Sequence, residues 1–182
     1  MIEVKINGLF LTQSQASGVI LKELNGDRTL PIIIGEYEAQ SIALGLENIK
    51  PPRPITHDLT LNIIEMFGAQ MDRVIVTELK NNTYYAVLQL RKKMKVFEID
   101  SRPSDAIALA VRNNIPIFVD EKVMEKGAYT SEELQEIEKG KMDAGLSHLE
   151  RLKKELEEAV EKEDYEKAAQ LRDEINKLQT RQ

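Results

Sequence analysis

A chain of 182 residues, 42% hydrophobic and 31% charged, has room for one core of ordinary domain size plus an appendage. With no cysteine and two histidines it excludes a disulfide framework, a thiolate zinc site, a cysteine nucleophile and a multi-histidine metal centre, so any metal would sit on carboxylates. The net charge of −6 falls mainly beyond residue 120, where 12 Lys and Arg face 17 Asp and Glu; before it 13 face 14, without the basic bias of many nucleic-acid binders.

From the N-terminus, Ile2 to Ile6 alternates with period two rather than presenting a basic and then apolar leader. No run approaches the roughly 18 apolar residues of a membrane span, and a cytoplasmic protein without a membrane partner is expected. Gly18 to Lys22 and Leu30 to Ile34 read as two more strands. Residues 36–48 place Ala39, Ile42, Ala43 and Leu46 at helical spacing, and Pro51-Pro52 forbids continuation. Pro52-Arg53-Pro54-Ile55-Thr56-His57-Asp58 then opens a helix over 56–67.

Asp72 to Leu79, Tyr84 to Leu90 and Lys95 to Ile99 read as three further strands, with Asn81-Asn82 and Lys92-Lys93 at the turns. Ser101-Arg102-Pro103-Ser104-Asp105 runs into an apolar helix over 103–113, with proline in the first turn, and Ile115 to Val119 reads as a short strand. An offset of 65 aligns Ile42, Ala43, Leu44, Asn48 and Pro51 with Ile107, Ala108, Leu109, Asn113 and Pro116. The expected fold class is α+β: a duplicated strand-strand-strand-helix unit forms a mainly antiparallel or mixed curved sheet with packed helices, followed by an α-helical hairpin. The expected domains are 1–125, a linker over 126–145 with a short helix opened by Thr130 and Glu133, and the hairpin over 146–182.

In that hairpin Leu146, Leu149, Leu152, Leu156 and Val160 make one apolar stripe, and Tyr165, Ala168, Leu171, Ile175 and Leu178 a second. Two short helices bury too little surface to stand alone, so a protein partner through residues 146–182 or a homo-oligomer seam is expected. Residues 156–175 closely resemble the UVR motif of the bacterial excision-repair proteins UvrB and UvrC, which implies an interaction module.

Residues 1–125 resemble the bacterial and plant bifunctional nuclease family, described as acting on both DNA and RNA. The resemblance is carried by Leu30-Pro31-Ile32-Ile33-Ile34-Gly35 with Glu38, by Arg53 to Leu59, and by Asp100 to Ala110. What it implies is hydrolysis of phosphodiester bonds, with the site in those stretches. Glu38, Asp58 and Asp105 are the carboxylates that could hold Mg²⁺ or Mn²⁺. His57, with a reference pKa of about 6.5, is the candidate proton carrier, and His148 reads as a hairpin surface residue. The expected catalytic set is therefore Glu38, His57, Asp58 and Asp105. Arg53, Arg102 and Ser104 are the candidates for binding nucleic-acid phosphate.

The same residues suit a structural role, in which Asp58 and Asp105 cap their helices and pair with Arg102 and Arg53. Three classes of function stay open: a metal-assisted nuclease with a docking tail, a ligand-sensing module, and an oligomeric adaptor working through the hairpin. An open cleft holding Glu38, His57, Asp58 and Asp105 would favour the first. Mutual burial and satisfaction would favour the last.

Overall fold

The computed structural model describes residues 1–12, 15–134, 152, 153, 155, 156, 167, 169–173 and 175. It divides into two units, Met1–Ser131 and Glu132–Gln182. The first unit is built on one seven-stranded mixed sheet. Strands β1 (Ile2–Leu11), β2 (Ser17–Glu23) and β3 (Thr29–Ile34) form a meander that leads into helix α1 (Glu36–Leu46). Helix α2 (Thr56–Met66) follows, and then β4 (Gln70–Lys80), β5 (Thr83–Lys92) and β6 (Lys95–Ser101) form a second meander leading into α3 (Pro103–Asn113). Strand β7 (Ile117–Val119) and helix α4 (Glu121–Gly127) complete it.

The order β3-β2-β1-β7-β4-β5-β6 places the first strand of each meander beside the short β7, antiparallel to β1 and parallel to β4. The fold is thus α+β, with three strands and an 11-residue helix occurring twice. Descent of the two units from one duplicated segment stands as a proposal. β1 runs five residues beyond the expected Ile2 to Ile6, because a bulge between Ile6 and Gly8 re-registers it against β2, with Gly8 at φ 133°. Asn81 and Asn82, at φ 49° and 59°, make the two-residue loop between β4 and β5 that the sequence indicates. The domain boundary expected after residue 125 falls within α4. Its Asp120 side chain accepts from the Lys122 amide and starts a helix that buries Val123 and Met124.

The pairing explains the core. Val74 and Val76 of β4 lie opposite Leu88 and Ala86 of β5 on one side and Ile117 and Val119 of β7 on the other, and all six are buried. Against this core sits α3, with Ala106, Ile107, Ala108, Leu109 and Ala110 buried on successive positions. Such a helix cannot face water on any side of its middle turns. α1 and α2 pack on α3, while α4 packs on β3 and β4. The sheet curls far enough for Ile32 to Ile34 of β3 and Asn82 to Tyr84 of the opposite meander to line one cavity.

Helices α1 and α3 pack closely at Gly45, where a β-carbon would lie 2.5 Å from Val111 Cγ2 and 3.2 Å from Arg112 Nη1. Alanine would gain about 1 kcal/mol in helix propensity, but overpacking against a stiff valine costs about 1–3 kcal/mol. Gly45→Ala is therefore expected to lower stability, checked by urea denaturation.

In the second unit Leu152, Leu171 and Ile175 are buried together with Leu156 packed on them. These four come from the two apolar stripes of the sequence. The remaining stripe positions and His148 lie outside the described residues. No helix among the described residues is long and apolar enough to cross a membrane.

Candidate functional site

The two Arg-Pro mouths of α2 and α3 meet. Ile55 is the N-cap of α2, and its amide donates to Asp58 Oδ2 at 3.1 Å, so Asp58 serves as a cap. At α3 the N-cap is Arg102, which makes no side-chain cap hydrogen bond, with Pro103 in the first turn. The early amides of α3 at Ser104 and Asp105 are therefore left without a capping side chain. Asp105 was expected to cap α3 and instead turns to its neighbours.

Arg102 is the hub. Its Nε and Nη2 donate to Asp105 Oδ2 and Oδ1 at 2.8 and 3.1 Å, and its Nη1 donates to Glu38 Oε1 of α1 at 2.9 Å. His57 of α2 joins through Nε2, 3.4 Å from Asp105 Oδ1, and its Nδ1 lies 2.8 Å from the buried Ser41 hydroxyl of α1. Arg112, in the last turn of α3, completes the network. It donates from Nε to Asp58 Oδ1 at 2.9 Å, from Nη2 to the Ser41 carbonyl and hydroxyl oxygens at 3.1 Å each, and from Nη1 to the Ala108 carbonyl at 2.6 Å. Three helices are thereby tied into one polar chain: Glu38, Arg102, Asp105, His57, Ser41, Arg112, Asp58.

This chain carries proton information. Arg112 can only donate, so Ser41 Oγ accepts from it, and the same oxygen lies 2.8 Å from His57 Nδ1. Burial pushes the Asp105 carboxyl up, but hydrogen bonding and charge from Arg102, with a lesser contribution from His57, outweigh it and hold the group below its ordinary value. A carboxyl lowered in the folded state stabilises the fold above its unfolded pKa of about 3.9, and that contribution is lost as pH falls through the lower folded value. In acid denaturation the stability gap between the parent and Arg102→Gln is accordingly expected to narrow below about pH 4.

Several expectations are corrected. Arg53 does not pair with Asp58 or Asp105: it is exposed and makes no ion pair among the described residues, and Arg112 takes its place. Glu38 and Asp105 face one guanidinium and Asp58 another, so the three carboxylates do not converge as cation ligands. Among the described residues no three His, Asp or Glu side chains are grouped to hold a metal ion. In this arrangement Mg²⁺ or Mn²⁺ does not fit the set Glu38, Asp58 and Asp105.

Exposure differs along the chain. The Arg102 side chain is 66% exposed and His57 15%, while Arg112 is 9% exposed. The Arg102 end is reachable from solvent and the Arg112 end is interior. A cavity of about 1060 Å³ lies where α2 leads into β4, lined in part by Glu65 and the Asp72–Arg91 ion pair, and holds none of the expected residues. A cavity of about 440 Å³ touches Asp58 and Arg112, and one of about 330 Å³ adjoins Arg102, Glu38 and Ser104. The last is where the exposed cation and the free helix amides coincide, and chemistry outranks size here.

A sheet wrapped on a buried helix, with a carboxylate–guanidinium–imidazole cluster at that helix's mouth, defines an α+β domain. The comparisons name the family: the bifunctional nuclease domain matches residues 19–132 and the UvrB/UvrC motif residues 148–181. The chain belongs to the bifunctional nuclease domain family and carries a C-terminal UVR motif. The uncharacterized protein Rv1829 of Mycobacterium tuberculosis is 42% identical over 125 residues, covering 68% of this chain and 74% of its own length. Bifunctional nuclease 2 of Arabidopsis thaliana is 30% identical over 190 residues, 91% of this chain and 56% of its own. Bifunctional nuclease 1 of Oryza sativa subsp. japonica is 33% identical over 109 residues, 58% of this chain and 33% of its own.

Proposed function

We propose that the first unit hydrolyses phosphodiester bonds of DNA or RNA at the Arg102 end of this cluster, and that residues 146–182 recruit a protein partner. The observation that carries it is the exposed Arg102 guanidinium, held by Glu38 and Asp105 beside His57 at the uncapped start of α3. Three of the five N–H groups of Arg102 are engaged, which leaves two for a phosphoryl oxygen, with the Ser104 and Asp105 amides as further donors. Asp105 takes the proton of the attacking water. His57, which faces Asp105 through Nε2 across a loose 3.4 Å, donates from that nitrogen to the leaving oxygen when the ring is doubly protonated.

One observation favours the adaptor reading: each of Glu38, Asp58 and Asp105 already has a guanidinium partner, as a purely structural network would. The two separate in an assay of the full chain on end-labelled single-stranded RNA and DNA, with Mg²⁺, Mn²⁺ or chelator. Cleavage that tracks the protein through purification and is lost in Arg102→Gln supports hydrolysis. No cleavage in any arm, or equal cleavage by the variant, leaves the adaptor.

A further inference from the structure

The cavity beside Arg102 has a second wall that the hydrolytic reading does not use. It is lined by Arg102, Glu38 and Ser104 and also by Ile33 and Ile34 of β3 with Asn82 and Tyr84 of the β4–β5 hairpin. Ile33 is 57% exposed although it sits in a strand, and it faces this hollow rather than the core. At about 330 Å³ the cavity lies at the small end of the roughly 300–1,000 Å³ usual for ligand pockets. It suits one small amphipathic group.

Ser104 says which end of that group is anionic. The residue is 6% exposed, yet its hydroxyl makes no hydrogen bond among the described residues. No wholly buried side-chain oxygen or nitrogen lacks a partner there, so the Ser104 hydroxyl retains accessible surface, and the cavity it lines is what it opens to. An unused hydroxyl next to uncapped amides and a guanidinium with two spare donors is a set of donors without an acceptor. The same cavity is lined by the apolar Ile33 and Ile34. Asn82, held at φ 59° in the turn, carries at the rim an amide that both donates and accepts.

We propose that this cavity is a nucleotide subsite: the phosphate rests on Ser104 and Arg102, the base lies against Ile33, Ile34 and Tyr84, and Asn82 meets the base edge. The subsite rests on the phosphoester reading of the same cluster and narrows its substrate. A base stacked and paired in a duplex cannot enter a pocket this size without leaving its stack, so the occupant is one unpaired nucleotide. A free mononucleotide and a residue of a single strand share that chemistry.

The full chain, carrying ¹³C-labelled isoleucine methyls and ¹⁵N-labelled amides, is titrated with adenosine monophosphate and separately with inorganic phosphate. Fluorescence anisotropy compares a labelled single-stranded pentanucleotide with the same sequence in a duplex. Adenosine monophosphate is expected to shift the Ile33 and Ile34 methyls together with the Ser104 amide, and inorganic phosphate the Ser104 amide alone. The single strand is expected to bind at least about tenfold more tightly than the duplex. Ile33→Glu, at an exposed position, should weaken nucleotide binding by about tenfold or more and leave the phosphate shift in place. Ser104→Ala should weaken both ligands. Binding of the mononucleotide but not the strand assigns the pocket to free nucleotides; binding of both assigns it to chain ends or single strands. Identical shifts from phosphate and nucleotide, silent Ile33 and Ile34 methyls, or equal affinity for duplex would overturn the subsite. If the shifts appear and no strand is cut, the subsite stands and hydrolysis fails; if strands are cut and Ile33→Glu binds and cuts as the parent does, hydrolysis stands and the subsite fails.

Discussion

His57→Ala is expected to slow phosphodiester cleavage by about 10²- to 10⁴-fold, the range that a positioned proton carrier supplies. The expectation depends on how little else the substitution removes. Asp105 keeps both its bonds to Arg102 and Ser41 keeps its bond from Arg112, while the buried Ser41 hydroxyl loses its hydrogen bond with His57. The stability loss should then stay near the net value of one or two hydrogen bonds, about 1–2 kcal/mol. Single-turnover rates and thermal unfolding on one preparation separate the effects. A rate loss matched by an equally large loss of folded protein would assign His57 to the scaffold.

The largest expected effect on stability is at Arg112. Its side chain is 9% exposed and holds Asp58 from α2, the Ser41 carbonyl and hydroxyl from α1, and the Ala108 carbonyl of its own helix. Methionine would fill the space and provide none of those donors. Removing one partner of an interior ion pair costs about 3–5 kcal/mol, because the other charge is left without compensation. Asp58 has its own exit to solvent and its bond from the Ile55 amide, which places Arg112→Met near the lower end. Adding Asp58→Asn removes the stranded charge, so the double variant should recover part of the loss. Urea denaturation of the parent, both single variants and the double variant checks this. A single-variant loss under about 1 kcal/mol would mean that Arg112 is not the tie among the three helices.

The contrast between His57 and Arg112 shows what the sequence could carry. Period-two runs, the Asn81-Asn82 loop and the Pro51-Pro52 stop are local signals whose physics acts within a few residues, and the strands and helices they indicate are present. His57 and Asp105 stood out because each sits at a helix mouth in a motif with proline and arginine. Arg112 gives no such sign: a basic residue in the last turn of a helix is ordinary, and its partner Asp58 is 54 positions away. Ser41 reads as any helical serine until its hydroxyl is found between Arg112 and His57. Arg53 misled for the opposite reason, since its motif resembles that of Arg102 while its side chain points to solvent. α4 could have been found from Asp120 in front of Glu121, which is an N-cap pattern.

The charge of the cluster sets a condition on any anionic substrate. Glu38, Asp58 and Asp105 against Arg102 and Arg112 leave it with a net charge of −1 when His57 is uncharged. A phosphate can settle at Arg102 only by competing with Glu38 for Nη1 or by using the free N–H groups. Glu38→Gln keeps the shape and removes one repelling charge. It should tighten phosphate binding even if it slows cleavage, a divergence visible when affinity and rate are measured on the same oligonucleotide.

The most direct measurement is the single-turnover cleavage rate of Asp105→Asn on single-stranded RNA, read beside its melting temperature. Asparagine keeps the shape and an acceptor oxygen for Arg102 but cannot take a proton from water. The account predicts at least a hundredfold loss of rate with the protein still folded at the assay temperature. Cleavage at the parental rate by folded Asp105→Asn would contradict it.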